Sequence, residues 1–270
     1  PLGCASLSLF QCRRLVHLHC RRHPYPMFER EAYLLAGPTA SGKSAIAAQL
    51  AREMGARILS ADSMLVYRGM DIGTAKPSES ECREFGMGGI DLVTPAEEFS
   101  SGAWLRAASV WSRTVSPQVP IVIVGGTGLY FSALLRGLDR KWEKPPPAYP
   151  VIRIDRALVR QRIRERLDQM FLDGLEAEKR NLRKLYPTWS RTASLAIGYR
   201  EGDTPERIFI RTCQLAKRQD TWFRHQSSAI YVEPTVESVR ACWQEHGPWK
   251  VRFDDIAPDL SDSNLKEMVE

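Results

Sequence analysis

The chain has 270 residues, 43% of them hydrophobic, 6 cysteines and a formal net charge of +6. That length and apolar content support one elaborated domain or two smaller ones around a substantial core. No stretch comes near the roughly 18 uninterrupted apolar residues that a membrane span needs, so insertion into a bilayer is excluded as the use of the positive charge.

Residues 1–28 carry four arginines, no acid, and Cys4, Cys12 and Cys20. Such a stretch reads as an organelle transit peptide or as sequence upstream of a start at Met27. Pro24 and Pro26 would interrupt an amphipathic helix, which favours the second reading. With no C-x-x-C pair anywhere, the cysteines predict a reducing compartment and no zinc site.

An apolar strand at residues 33–36 enters Gly37-Pro38-Thr39-Ala40-Ser41-Gly42-Lys43-Ser44, a full match to G-x-x-x-x-G-K-[ST], and a helix over 45–54, stopped by Gly55, leaves it. Successive amides and the helix dipole then converge on one anion, with the Lys43 ammonium and the Ser44 hydroxyl beside it. A phosphorylated ligand is predicted there.

A second strand at 58–59 delivers Ser60-Ala61-Asp62-Ser63 to the carboxyl end of the sheet, next to the phosphate loop. Open α/β sheets bind their ligands at that edge. Asp62 is there either a general base or a helix N-cap. Residues 90–93 read as a weaker third strand, followed by a helix in which Trp104, Leu105, Ala108 and Trp111 recur at three-to-four spacing. Residues 120–124 form the clearest buried strand and end in Gly125-Gly126-Thr127-Gly128, before a helix starting near Leu129. Strands alternating with helices predict an α/β fold, a parallel sheet wrapped by helices of the P-loop NTPase type.

Lys144-Pro145-Pro146-Pro147 marks a stiff, extended break. Beyond residues 151–154 the chain turns helical, with Ile163, Leu167, Met170 and Phe171 on one face and Arg160, Arg162, Arg164 and Arg166 elsewhere, as on any solvated helix. A further helix starts with Thr204 as N-cap, Pro205 in the first turn and Glu206 at the positive end of the dipole. Arg207, Arg211, Gln214 and Arg218 form a stripe along it, beside Ile208, Leu215, Gln219 and Trp222. That arrangement suits a helix against the sheet with its cations aimed at phosphate. Residues 151–225 hold 17 basic against 10 acidic side chains, whereas 226–270 hold 4 against 9. The basic stretch fits a polyanion such as nucleic acid or a solvated surface.

The segments thus divide into an N-terminal extension at 1–28, a P-loop core at 29–138, a proline-rich linker at 139–150, a basic helical part at 151–230 that completes the core, and an acidic tail at 231–270. One detail speaks against a nucleotide kinase or ATPase, the class a P-loop first suggests. Those enzymes place an acid after a second buried strand to hold magnesium, but here the strand ends in Gly125-Gly126-Thr127. Magnesium is left with Ser44 and the ligand's own phosphates.

Five separated blocks resemble the tRNA dimethylallyltransferase family, also called isopentenyltransferases. They are the phosphate loop with Ser60-Ala61-Asp62-Ser63; Val66-Tyr67-Arg68-Gly69-Met70-Asp71-Ile72-Gly73-Thr74-Ala75-Lys76-Pro77; Val124-Gly125-Gly126-Thr127-Gly128-Leu129-Tyr130; Ala196-Ile197-Gly198-Tyr199-Arg200-Glu201; and Gln214-Leu215-Ala216-Lys217-Arg218-Gln219-Asp220-Thr221-Trp222-Phe223-Arg224. The resemblance runs from about residue 33 to 224. Two departures stand out: Met87-Gly88-Gly89-Ile90-Asp91 replaces the family's His-His-Leu-Ile-Asp, and a helical insertion domain is shortened to the few residues at 139–144.

The resemblance implies transfer of a dimethylallyl group from dimethylallyl diphosphate to the exocyclic amine of the adenine 3′ of the anticodon, adenosine 37 of the tRNA, with Mg2+ and release of diphosphate. Asp62 is then the general base, with Thr39 and Arg218 also catalytic. Residues 37–44 and Arg218 hold the diphosphate, and Ser44 the metal. Asp62, Ser63, Met64, Leu65, Thr127, Arg207 and Arg211 meet the tRNA, whose target base is flipped out of its stack to be reached. The expected partners are the anticodon stem-loop of tRNA and dimethylallyl diphosphate, with the protein a cytoplasmic monomer, or organellar if the extension is a transit peptide. Competing readings are a small-molecule or nucleotide kinase, an adenylate isopentenyltransferase acting on a free nucleotide, and a tRNA-binding remnant without catalysis.

Overall fold

The computed structural model describes residues 30–136, 146–200 and 202–251. The extension at 1–28, with Met27 and the first three cysteines, lies outside the described residues, as do linker positions 139–145 and tail positions 252–270. Five parallel strands run in the order β2-β3-β1-β4-β5, as β1 (Arg30–Ala36), β2 (Arg57–Ala61), β3 (Ile121–Gly125), β4 (Tyr149–Ile152) and β5 (Ala229–Val232). A sixth, β6 (Trp249–Val251), pairs antiparallel with the amino end of β1, while β4 touches only its carboxyl end at Ala36.

The central strands bury both faces, which is why they read as unbroken apolar runs. Alternate residues divide between two layers. Leu34, Leu59, Ile121, Ile123 and Val151 face one layer, built from α3 (Ser101–Thr114), α4 (Gly128–Arg136), α5 (Arg156–Leu172) and α8 (Pro205–Arg224). Leu35, Ile58, Val122, Val124 and Ile152 face the other, covered by α1 (Lys43–Met54) and α9 (Val236–His246). Indole N–H groups tie each layer to the sheet, Trp104 to the Ser60 carbonyl and Trp243 to the Leu34 carbonyl, both at 2.9 Å. A short α2 (Glu79–Glu84) opens with a capping box from Ser78 and Glu81, and α6 (Leu175–Leu185) and α7 (Arg191–Ser194) complete the helical part.

The α/β fold and the main strands stand where the sequence puts them, and Thr204 caps α8 by accepting the Arg207 amide. Three expectations need correction. Residues 90–93 form no strand. Gly89 and Asp91 take positive φ of 79° and 54°, and the chain there bonds to the neighbouring loop, Asp91 N–H to the Leu65 carbonyl and Leu92 N–H to Val66. Residues 231–251 are not a tail: β5, α9 and β6 belong to the fold, with Val239, Cys242 and Trp243 buried against the sheet. Positions 149 and 150 of the supposed linker already lie in β4.

Candidate active site

The phosphate loop joins the carboxyl end of β1 to α1. Ala40 and Gly42 are left-handed, with φ of 61° and 90°, a turn that aims successive amides inward in the manner of an anion-binding nest. Gly37 sits in a tight space, since a Cβ there would lie 3.1 Å from both the Ile152 side chain and Ser41 Oγ. The loop is braced from within and without. Lys43 Nζ donates to the Pro38 carbonyl at 3.2 Å, and Arg162 of α5 reaches the Ala40 and Ser41 carbonyls at 3.4 and 3.3 Å.

On the neighbouring strands, Ala61 of β2 and Gly125 of β3 are register partners. Their approach is so close that a Cβ on Gly125 would sit 2.1 Å from the Ala61 carbonyl oxygen. The residues that follow are therefore held side by side. Thr127 Oγ1 accepts the Ser63 amide at 2.9 Å, and Asp62 Oδ1 accepts the Met64 amide at 2.9 Å, which fixes the carboxylate in a tight turn. No helix starts here, so the N-cap expectation for Asp62 is corrected: it caps a turn, and it lines the cleft.

A cleft of about 320 Å³ runs from Thr39, Lys43 and Ser44 past Asp62 and Leu65 to Lys76 and Arg166. Enclosure drives the Lys43 pKa down to about 8, against the attraction of Asp62 and with added repulsion from Arg166. Burial likewise draws Arg166 below the ordinary arginine range, opposed by Asp62. Beside Asp62 the cleft therefore holds two poorly solvated cations, Lys43 and Arg166, a local charge set that an incoming polyphosphate would relieve.

The structure gathers Thr39, Lys43, Ser44, Asp62 and Leu65 on this cleft, with Ser63 and Thr127 joined at its edge. The cations of α8 lie elsewhere. Arg218 lies in an open depression with Gln214, Lys217, Thr221, Trp222 and His225. Arg207 donates to the Gly202 carbonyl, and Arg211 is paired with the buried Asp203. The α8 side chain that reaches the phosphate loop is Gln219, through Oε1 to the Thr39 amide at 2.8 Å.

Sequence reading missed Arg166, which it placed among solvated arginines. The available signal was its spacing: Arg162 and Arg166 each precede a core residue, Ile163 and Leu167, so both lie along one flank of the buried stripe. It also missed the clasp on the loop at 71–73. Glu178 of α6 accepts the amides of Asp71 at 3.2 Å and Ile72 at 2.9 Å, and Tyr199 donates its hydroxyl to Glu178 while accepting the Gly73 amide at 3.0 Å. Burial and the Glu178 carboxylate push the Tyr199 phenol far above its ordinary pKa. Further along the same loop, Lys76 is bonded to the Tyr67 carbonyl, Asp71 and Asp91 at 2.5 to 2.7 Å.

The donors present suit a divalent ion held by Ser44 and by a bound ligand's phosphates. Among the described residues, no group of three or more His, Cys, Asp or Glu side chains is disposed around a metal, while Ser41 Oγ is buried with no hydrogen-bond partner beside the cradle. No described helix is long and apolar enough to cross a membrane.

Comparison with known proteins agrees with this site. The profile for IPP transferase matches residues 65–154 and 141–226, and that for isopentenyl transferase matches residues 30–86. The tRNA dimethylallyltransferase of Rhodopirellula baltica is 30% identical over 308 aligned positions, covering 77% of this chain and 90% of its own length. That of an Azoarcus species is 31% identical over 317, covering 85% and 92%. In fold, the crystal structure of the full-length tRNA isopentenylpyrophosphate transferase of Bacillus halodurans superposes with a TM-score of 0.69 at 23% identity, covering 88% of this chain and 99% of that one. The phosphate cradle with its adjoining carboxylate, the profile matches and the curated relatives agree, and the chain belongs to the IPP transferase family of tRNA-modifying prenyltransferases.

Proposed function

We propose that this chain transfers the dimethylallyl group of dimethylallyl diphosphate to the exocyclic amine of the adenine 3′ of a tRNA anticodon. The carbon–oxygen bond to the diphosphate breaks, a carbon–nitrogen bond forms, and the amine's proton passes to the Asp62 carboxylate. The observation that supports this reading is the shared cleft, lined by Asp62 together with Thr39, Lys43 and Ser44 of the phosphate loop. Diphosphate here is a leaving group, so fixed cations facing it stabilise the charge that develops as it departs. This accounts for a β3 that ends in Gly125 and is followed by Gly126 and Thr127 rather than an acid, the feature that disfavours a kinase.

In this reading residues 37–44 bind the diphosphate, Thr39 touches the reacting centre, and Arg218, exposed on α8 outside the cleft, swings in to the diphosphate when it binds. Ser44 holds Mg2+, which when bound adds a Lewis acid on the leaving group. Ser63, Met64, Leu65 and Thr127 contact the flipped base. Arg207 and the arginine-rich α5 contribute to the RNA face, and Arg211 supports it through Asp203. The reaction belongs in the cytoplasm, with the protein acting as a monomer. About 100 of the 308 positions aligned with the Rhodopirellula relative lack a counterpart in this chain, which supports a shortened insertion. A looser grip on the anticodon stem-loop follows.

The test is transfer of label from dimethylallyl diphosphate into tRNA, followed by digestion to nucleosides. Prenylated adenosine is the expected product. Asp62→Asn should reduce transfer by about a thousandfold, within the usual range for loss of a general base, while binding of a non-reactive diphosphate analogue stays within about threefold. Absence of label in tRNA despite tight analogue binding would overturn the reading.

A further inference from the structure

One carboxamide stitches together three parts of the site. Gln219 Oε1 accepts the Thr39 amide at 2.8 Å, and Gln219 Nε2 donates to the Gly126 carbonyl at 3.0 Å. The phosphate loop, the loop after β3 and helix α8 thereby share a single side chain, although the first contact spans 180 residues and the second 93. Both targets are backbone groups of opposite polarity, so the link needs a donor and an acceptor a fixed distance apart, which a carboxamide supplies and an ionised carboxylate or a guanidinium does not. The backbone is shaped to admit it: a Cβ on Gly126 would fall 2.5 Å from Gln219 Nε2 and 3.0 Å from the Gly37 carbonyl oxygen.

Gln219 takes the amide of Thr39, and the Ser41 amide bonds to the Pro38 carbonyl at 3.3 Å, so a ligand is met by the other amides of residues 40–44. Gln219 thus fixes the orientation of the residue whose side chain lines the cleft beside Lys43. The same anchor sets the height of α8, and with it the exposed Arg218 one position earlier. We propose that Gln219 is a positioning residue for group transfer, holding Thr39 and the Arg218 turn of α8 in register with the departing diphosphate. This rests on the functional reading above and adds a determinant of rate to it.

The experiment compares Gln219→Ala, Gly126→Ala and the double variant with wild type, measuring kcat and KM for dimethylallyl diphosphate with tRNA in excess, Tm, and amide exchange across residues 37–44. A displacement of about 1 Å in a reacting geometry costs about a hundredfold in rate, so Gln219→Ala should lose about 30- to 100-fold in kcat with KM within about threefold. Gly126→Ala, which drives the carboxamide out, should lose a similar factor. The double variant should be no slower than the slower single one, because both break the same link. Three results would overturn the proposal: a kcat within about threefold of wild type in Gln219→Ala, a raised KM with kcat intact, or losses that multiply in the double variant. If wild type transfers no label, the functional reading has failed and the clasp is judged by exchange alone. Faster exchange at Thr39 in Gln219→Ala then supports the clasp, and unchanged protection there refutes it.

Discussion

On the proposed function, the depressed pKa of Lys43 makes diphosphate binding sensitive to alkaline pH in a calculable way. In the free protein the ammonium is lost with a pKa of about 8 because the surroundings solvate it poorly and Arg166 repels it. A bound diphosphate brings charges that favour the protonated form, so binding above pH 8 requires uptake of a proton. Protonated Lys43 makes up about 90% of the free protein at pH 7 and about 3% at pH 9.5, so affinity should fall about 30-fold between them, about 2 kcal/mol at 1.36 kcal/mol per pH unit. The ligand does not confuse the measurement, since a phosphate ester loses its last proton near pH 6.

Calorimetric titration with a non-hydrolysable allylic diphosphate analogue at half-unit intervals from pH 7 to 10 would give the curve. Lys43→Arg, whose guanidinium stays charged throughout, should flatten it. A wild-type affinity constant to pH 10, or a fall that survives in Lys43→Arg, would refute the assignment. For folding the sign is opposite. Between pH 8 and the ordinary lysine value near 10.4, the unfolded chain holds a proton that the ligand-free folded chain has released, so this group's contribution to stability rises with pH across that window.

Three other outcomes are expected. Arg211→Ala strands the buried Asp203 carboxylate and should cost about 3 to 5 kcal/mol by denaturant unfolding, whereas Arg207→Ala should leave stability intact and lower the salt dependence of tRNA binding by about one phosphate contact; equal unfolding losses would sink that distinction. Glu178→Gln and Tyr199→Phe should each destabilise by about 2 kcal/mol, as charge-assisted hydrogen bonds do, with a double variant well short of the sum if the two form one network. Gly125→Ala places a methyl against the Ala61 carbonyl oxygen and should cost about 3 kcal/mol, read as a Tm drop of about 6–12 °C; an unchanged Tm would mean that β2 and β3 part more easily than their spacing implies.

The sequence made the sheet legible where burial on both faces left continuous apolar runs, as at residues 121–124, and made the cradle legible because its chemistry is local to eight consecutive residues. It failed where the determinant was a remote partner. Gln219 bonds to backbone amide and carbonyl groups that every residue carries, so no pattern of side chains announces it. Residues 90–93 have strand composition, but Gly89 passes within reach of the Ser60 carbonyl oxygen, 2.4 Å from where a Cβ would lie, and the turn that follows prevents a ladder. The acidic count after residue 231 hid β5 and α9 because averaging over the segment mixes exposed Glu237 and Glu245 with buried Val239 and Trp243. Arg166 was obscured by abundance, one cation among many on a helix whose register against the cleft only tertiary packing sets.

The antiparallel pairing of Glu31 with Lys250, both exposed, has a practical corollary for anyone attaching this enzyme to a surface or a fluorophore. Both residues stand toward the opposite end of β1 from Ala36, about 16 Å away at about 3.3 Å per residue. A reporter coupled at either point is held on the far side of the molecule from the catalytic mouth, and two reporters placed there would begin as near neighbours, giving a proximity signal that is lost when β6 peels away.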